Sequence, residues 1–151
     1  MGAQVAHHVR EKLLSIVTYQ QSHFDSVRLL WREAFPDDPP WNAAELAIPA
    51  KLKIQPDLFL VATDRSSVVG AIMAGYDGHR GWLYALAVLQ SHRRQGIGTA
   101  LVREAETRLS AMGCTKINLQ VRSSNSAVVS FYRSLGYEIE ERVSMGKRMR
   151  P

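Results

Sequence analysis

The sequence predicts an α/β (α+β) domain of about seven strands and four helices, with an antiparallel meander at its centre. Three observations predict it. Short apolar runs alternate with segments of helical period in the order strand, helix, helix, three strands, helix, strand, helix, two strands. Asp77-Gly78 joins two of the central runs as a tight hairpin would, because glycine supplies positive φ. The glycine-bearing stretch Arg93-Arg94-Gln95-Gly96-Ile97-Gly98-Thr99-Ala100 lies between a strand-like run and an amphipathic helix.

Taken in order, residues 1–12 have no partner pattern and read as an N-terminal extension, while residues 13–151 read as a single domain. Leu13 to Tyr19 is the first strand. Phe24, Val27, Leu30, Trp31 and Ala34 recur at helical spacing, with Ser22 as a candidate cap and Pro36, Pro39 and Pro40 ending the helix. A second helix covers Ala43 to Ile54, and Pro49 should kink or split it. Strands follow at 58–62, 68–74 and 82–88, the first two joined by the turn Asp64 to Ser67.

Beyond the glycine loop, Ile97, Leu101, Ala105, Leu109 and Met112 form one apolar stripe of a helix closed by Gly113. Lys116 to Val121 alternates as a strand does. Ser124 or Asn125 caps the next helix, with Ala127, Val128, Phe131 and Leu135 at helical spacing and Gly136 at its end. Tyr137–Glu140 and Val143–Met145 are the last two strands. There is no internal repeat and no interdomain linker.

A chain of 151 residues with 46% hydrophobic residues can bury one sizeable core. It has no apolar run of membrane-spanning length and no secretory pattern at its start, so no membrane partner and a cytoplasmic location are expected. Cys114 is the sole cysteine, which excludes an intrachain disulfide and any multi-cysteine metal site. It reads as a small buried residue entering a strand rather than a nucleophile, and no metal is expected. The net charge of +5 is dispersed, without a basic block interleaved with aromatics, so no nucleic-acid partner is expected.

The loop has the character of a phosphate cradle. Small residues free backbone amides to face an anion, and the following helix N-terminus adds partial positive charge. A dinucleotide fingerprint would need a small residue where Leu101 stands, and a nucleoside-triphosphate loop would need a Gly-Lys-Ser/Thr ending. By itself the Gly-x-Gly reads equally well as an ordinary strand-to-helix turn.

Arg93-x-x-Gly96-x-Gly98 after a strand resembles the pyrophosphate loop of the Gcn5-related N-acetyltransferases (GNAT). Asn125-Ser126-Ala127-Val128-Val129-Ser130-Phe131-Tyr132-Arg133-Ser134-Leu135-Gly136-Tyr137 resembles that family's Asn-x-x-Ala/Val-x-x-x-Tyr-x-x-x-Gly-Phe/Tyr segment. The resemblance covers about residues 14 to 149. Within the family, Gly75 to Gly81, Gly113-Cys114 and Met145-Gly146-Lys147-Arg148 look most like the small bacterial YpeA-type enzymes. The resemblance implies the GNAT fold, with a mixed, mostly antiparallel central sheet.

It also implies direct acetyl transfer from acetyl-coenzyme A to an amine acceptor, whose identity the sequence leaves open. Backbone groups of Leu86, Ala87 and Val88 would pair with the pantetheine arm, and an amide near Leu86 would polarise the acetyl oxygen. The pyrophosphate would rest on the stretch Arg93, Arg94, Gln95, Gly96, Ile97, Gly98 and Thr99. Asn125 would bond the pantetheine arm, and Tyr132 would protonate the departing thiolate. Each has a packing counterpart: Asn125 as a helix cap, Tyr132 as a packed ring, Gly136 as a turn.

No carboxylate stands where some relatives keep their base. This chain has Gln120 and Tyr84-Ala85-Leu86 there, so Gln120 would orient a water, with a relay to Tyr84, Asp77 or His79. Asp37, Asp38, Glu138 and Glu140 either attract a cationic amine or are simply solvated. Trp41 and Trp82 could line an acceptor pocket, although core packing or a homodimer contact is the simpler reading. The rival from another class is a non-catalytic acyl-coenzyme A sensor, which keeps the cradle and loses the turnover.

Overall fold

The computed structural model describes residues 14–150 and resolves them into two compact units, one ending at Gln120 and one beginning at Val121. In the first unit, β1 (Leu14–Thr18) leads into α1 (Phe24–Ala34) and α2 (Ala44–Leu52). Then come β2 (Phe59–Asp64), β3 (Ser67–Tyr76), β4 (Gly81–Val88), α3 (Ile97–Ala111) and the short β5 (Ile117–Leu119). The strands lie side by side in chain order, and every neighbouring pair is antiparallel except β4 with β5. That is the mixed, mostly antiparallel sheet expected.

Period-two alternation divides the core between the two faces. Phe59, Val61, Ala71 and Met73 pack with Val27, Leu30 and Trp31 of α1 and Ile48 of α2. On the opposite face α3 lies so close that a Cβ on Gly70 would stand 3.1 Å from Leu101 Cδ1 and 3.2 Å from Ile97 Cγ2. Any side chain there would push Leu101 or Ile97 aside by a few tenths of an ångström. Of the stripe expected on α3, Ile97, Leu101, Ala105 and Leu109 are buried. Met112 stands past the last helical turn and is exposed, so it leaves the stripe.

Several local expectations are corrected. Ser22 does not cap α1: a single 3-10 turn over Gln21–His23 precedes it, fixed by the Gln20 amide donating to His23 Nδ1 at 3.0 Å. The helix α2 runs unbroken through Pro49, at the loss of the one hydrogen bond that an amide there would donate to Glu45 O. The turn expected at Asp64 to Ser67, by contrast, forms as expected, and without a glycine Arg65 (φ 51°) and Ser66 (φ 69°) themselves adopt left-handed conformations.

The second unit contains α4 (Ser126–Ser134), closed by Gly136 at φ +97°. Asn125 is its cap, its Oδ1 accepting from the Val128 amide at 3.3 Å. The sheet has five strands rather than about seven, since Tyr137–Glu140 and Val143–Met145 form no strand among the described residues. Their apolar side chains lack the buried face that fixes a strand's register: Ile139, Val143 and Met145 are all exposed. The extension at 1–12, Leu13 and Pro151 lie outside the described residues.

Candidate active site

The glycine loop sits where β4 gives way to α3. Beyond Val88 the chain makes one 3-10 turn, Gln90–His92, and then bends sharply: Arg94 is left-handed at φ 62° and Gly96 at φ 77°. A Cβ on Gly96 would meet nothing within 4 Å, so the requirement for glycine there is conformational, not steric. Left-handed residues in such a loop can turn backbone amides toward one concavity, which is how backbones make anion sites. Among the described residues, the first amide from Arg94 onward to find a backbone acceptor is Ala100, bonded to Gly96 O at 3.0 Å. Arg93 and Arg94 are exposed and have no carboxylate partner among the described residues.

The strand before the loop is shaped for a second purpose. The β3–β4 register shifts between Ala71 and Met73, so that Ala85 and Leu86 stand opposite Ile72 alone. This is a β-bulge, and Ala85 adopts φ 54° to make it. On its other side β4 pairs with β5 only from Gly81 to Leu83. The edge of β4 from Tyr84 to Val88 therefore has no strand beside it among the described residues, and Leu86, Ala87 and Val88 lie along that edge. One step past the last pair, Leu83 with Leu119, stand Tyr84 and the exposed Gln120.

Near the bulge is a cavity of about 600 Å³ lined by α1, α2 and the residues after it, β3 and β4. Met73 and Gly75 of β3 line it beside Tyr84 and Trp82 of β4, their register partners. The Gln55 side chain, which also lines it, acts as a short strand: Nε2 donates to Tyr76 O at 2.8 Å, and Oε1 accepts from Tyr76 N at 2.9 Å. Asp77 accepts at Oδ1 from the His79 and Arg80 amides (2.7 and 2.6 Å), and at Oδ2 from Trp82 Nε1 (3.3 Å). The Arg80 and His79 amides hold its carboxyl below the usual range.

Trp82 thus lines the cavity instead of packing in the core, because its position on β4 is the one opposite Gly75. Trp41 is half-exposed and does not line it, and neither do Asp37 and Asp38. Cys114 is half-buried, as a strand-entry residue, with its Sγ donating to Lys116 O at 3.3 Å.

Sequence reasoning missed Lys51. Its side chain is only 7% exposed, its Nζ donates to Ala74 O, and it sits 5.8 Å from the centroid of the Tyr84 ring. Burial pushes its pKa down and that of Tyr84 up. A signal was available: Ala44, Ile48 and Lys51 share the buried face of α2, and a lysine at the third place of such a stripe is anomalous.

In the second unit Tyr132 is buried, its ring edge-on to Phe131 (5.0 Å) and to Tyr137 (5.5 Å). Desolvation pushes its hydroxyl pKa up to about 12, so it holds its proton throughout the neutral range.

A glycine-bearing loop between a bulged strand and a helix, on a mixed five-stranded sheet, is the arrangement that the sequence resemblance to the acetyltransferases implies. The Acetyltransferase (GNAT) family matches residues 23–137, and the chain belongs to that family. It is 43% identical over 138 residues to an acetyltransferase of Yersinia enterocolitica, covering 90% of this chain and 96% of the relative. Ard1 from Thermoplasma volcanium superposes with a TM-score of 0.77 at 24% identity, over 85% of this chain and 84% of that one. The aminoglycoside acetyltransferase AAC(6')-Iy, solved with a bisubstrate analogue, CoA-S-monomethyl-acetylneamine, gives 0.73 at 21% identity over 90% and 98%. Among the described residues no group of three or more His, Cys, Asp or Glu could hold a metal ion, and no helix is long and apolar enough to cross a membrane.

Proposed function

We propose that the chain is an acetyl-coenzyme A-dependent N-acetyltransferase acting by direct transfer to an amine. The loop carries this reading: amides from Arg94 to Thr99 without backbone acceptors and two arginines without carboxylate partners, both among the described residues, with a left-handed Gly96, form a site for a polyanion. The pyrophosphate of the cosubstrate rests there, on Arg93, Arg94, Gln95, Gly96, Ile97, Gly98 and Thr99. Its pantetheine arm pairs with Leu86, Ala87 and Val88 along the open edge of β4, as an added strand would. The bulge at Ala85–Leu86 supplies the amide that polarises the thioester carbonyl.

The acceptor amine then attacks that carbonyl carbon. A C–N bond forms, the C–S bond breaks, sulfur leaves with the electron pair, and the nitrogen loses one proton while the thiolate gains one. Tyr132, held protonated by its burial, donates to the thiolate, and Asn125 bonds the pantetheine arm; both roles come from the family motif. Gln120 and Tyr84 hold the water that accepts the amine proton. Because the family match runs through both compact units, residues 13–151 act as one acetyltransferase domain.

The cavity beside the bulge takes the acceptor. Coupled measurement of free thiol with acetyl-coenzyme A and a panel of amines tests the assignment. Thiol release that depends on the amine supports it, whereas tight coenzyme binding with no amine-dependent release identifies a sensor.

A further inference from the structure

The charge balance of the cavity is unusual for a site that receives a cation. An ammonium group has three donors, yet among the described residues Lys51 makes one hydrogen bond, to Ala74 O, and stands over the face of Tyr84. Among the described residues no carboxylate lies within 4.0 Å of it. A cation removed from water with so few partners is expensive to maintain, and buried charges are ordinarily paired. The walls near it are aromatic and apolar: Trp31, Met73, Trp82, Tyr84. Among the described residues the one acid lining the cavity, Asp77, is tied to two turn amides and to Trp82.

We infer that the acceptor is an amine bearing a carboxylate and an apolar body, an apolar amino acid in chemical class, with its carboxylate bound by Lys51. The inference rests on the reading of this cavity as the acceptor site. The carboxylate supplies the missing countercharge, and its oxygens take the ammonium's spare donors as charge-assisted hydrogen bonds. The hydrocarbon part lies against Trp82 and Tyr84. Polycations such as aminoglycosides are disfavoured, since a second positive group brought near Lys51 meets an uncompensated like charge.

The test is binding, read by the fluorescence of the cavity tryptophans and by calorimetry, on the full chain with coenzyme A present. The probes are L-phenylalanine, L-phenylalaninamide and phenethylamine, which differ only at the carboxylate, with L-leucine and isoamylamine as a second pair. The amino acids should bind about tenfold to hundredfold more tightly than their counterparts without a carboxylate. Lys51→Met should erase that preference, and Lys51→Arg should keep most of it. Equal affinities across a pair, a preference that survives in Lys51→Met, or failure of both amino acids to bind would overturn the inference. Selective binding without thiol release would instead overturn the transferase reading and leave the carboxylate site standing.

Discussion

The Lys51 ammonium lies 5.8 Å from the centre of the Tyr84 ring, and each group shifts in the direction burial dictates, the lysine down and the phenol up. A lysine whose pKa is lowered by folding binds its proton less tightly in the folded state. The resulting destabilisation is fully present below the folded pKa, and it is relieved as pH rises from there to the ordinary lysine value. Lys51→Met removes the charge and keeps the bulk, at the loss of one bond to Ala74 O. The variant should gain roughly 1 kcal/mol of stability at pH 7, an advantage that shrinks toward pH 10. Urea unfolding at several pH values checks it; a loss of stability at pH 7 would mean that the bond to Ala74 outweighs the desolvation.

Gly96 separates backbone conformation from space. Its φ of 77° disfavours any side chain, yet a Cβ there would touch nothing. Gly96→Ala should therefore cost about 1–2 kcal/mol for holding alanine left-handed, or else the loop should relax and misdirect its amides. Either way the affinity for coenzyme A should fall about tenfold or more, while the circular dichroism of the sheet and helices is retained. Calorimetry that finds unchanged affinity would mean the phosphates bind elsewhere.

The parts of the fold that are legible in the sequence are those set by local chemistry. Gly113 and Gly136 end their helices at positive φ, and Asn125 caps α4, because each signal acts within a few residues. The bulge at Ala85 was not legible: alanine carries no mark of a left-handed residue, and the shift exists only through pairing with β3. The two C-terminal strands expected do not form among the described residues, because a strand depends on pairing that no alternation in its own residues can specify. Lys51 lies between these cases. Its place on the stripe of α2 could be counted, but its lack of an acidic partner depends on which residues of β3 and β4 meet it.

Asn125 can be asked whether it is a cap, a cosubstrate ligand or both. Asn125→Ala removes the bond to the Val128 amide and should cost about 1 kcal/mol. Asn125→Asp keeps a capping oxygen but loses the amide donor, so its stability should be close to that of the parent chain. If Asn125 bonds the pantetheine arm through its NH2 group, Asn125→Asp should also weaken coenzyme A binding several-fold despite the intact cap. Parent-like affinity and parent-like stability together would leave it a cap alone.

Tyr132 makes two predictions from one cause. With its pKa raised to about 12, it remains a donor across the working pH range, so Tyr132→Phe should lower kcat about 10²- to 10⁴-fold with little change in KM for acetyl-coenzyme A. The stability effect has a definite sign. An unfolded tyrosine ionises near pH 10 and the folded one near 12, so the folded state holds the extra proton between those values. Stability from Tyr132 is thus complete below about pH 10 and falls by roughly 2–3 kcal/mol on the way to pH 12. Tyr132→Phe should flatten that alkaline decline relative to the parent chain. Phenol absorbance at 295 nm, followed during the same titration, should show one fewer late-ionising tyrosine in the variant; an unchanged count would place the late ionisation on another residue.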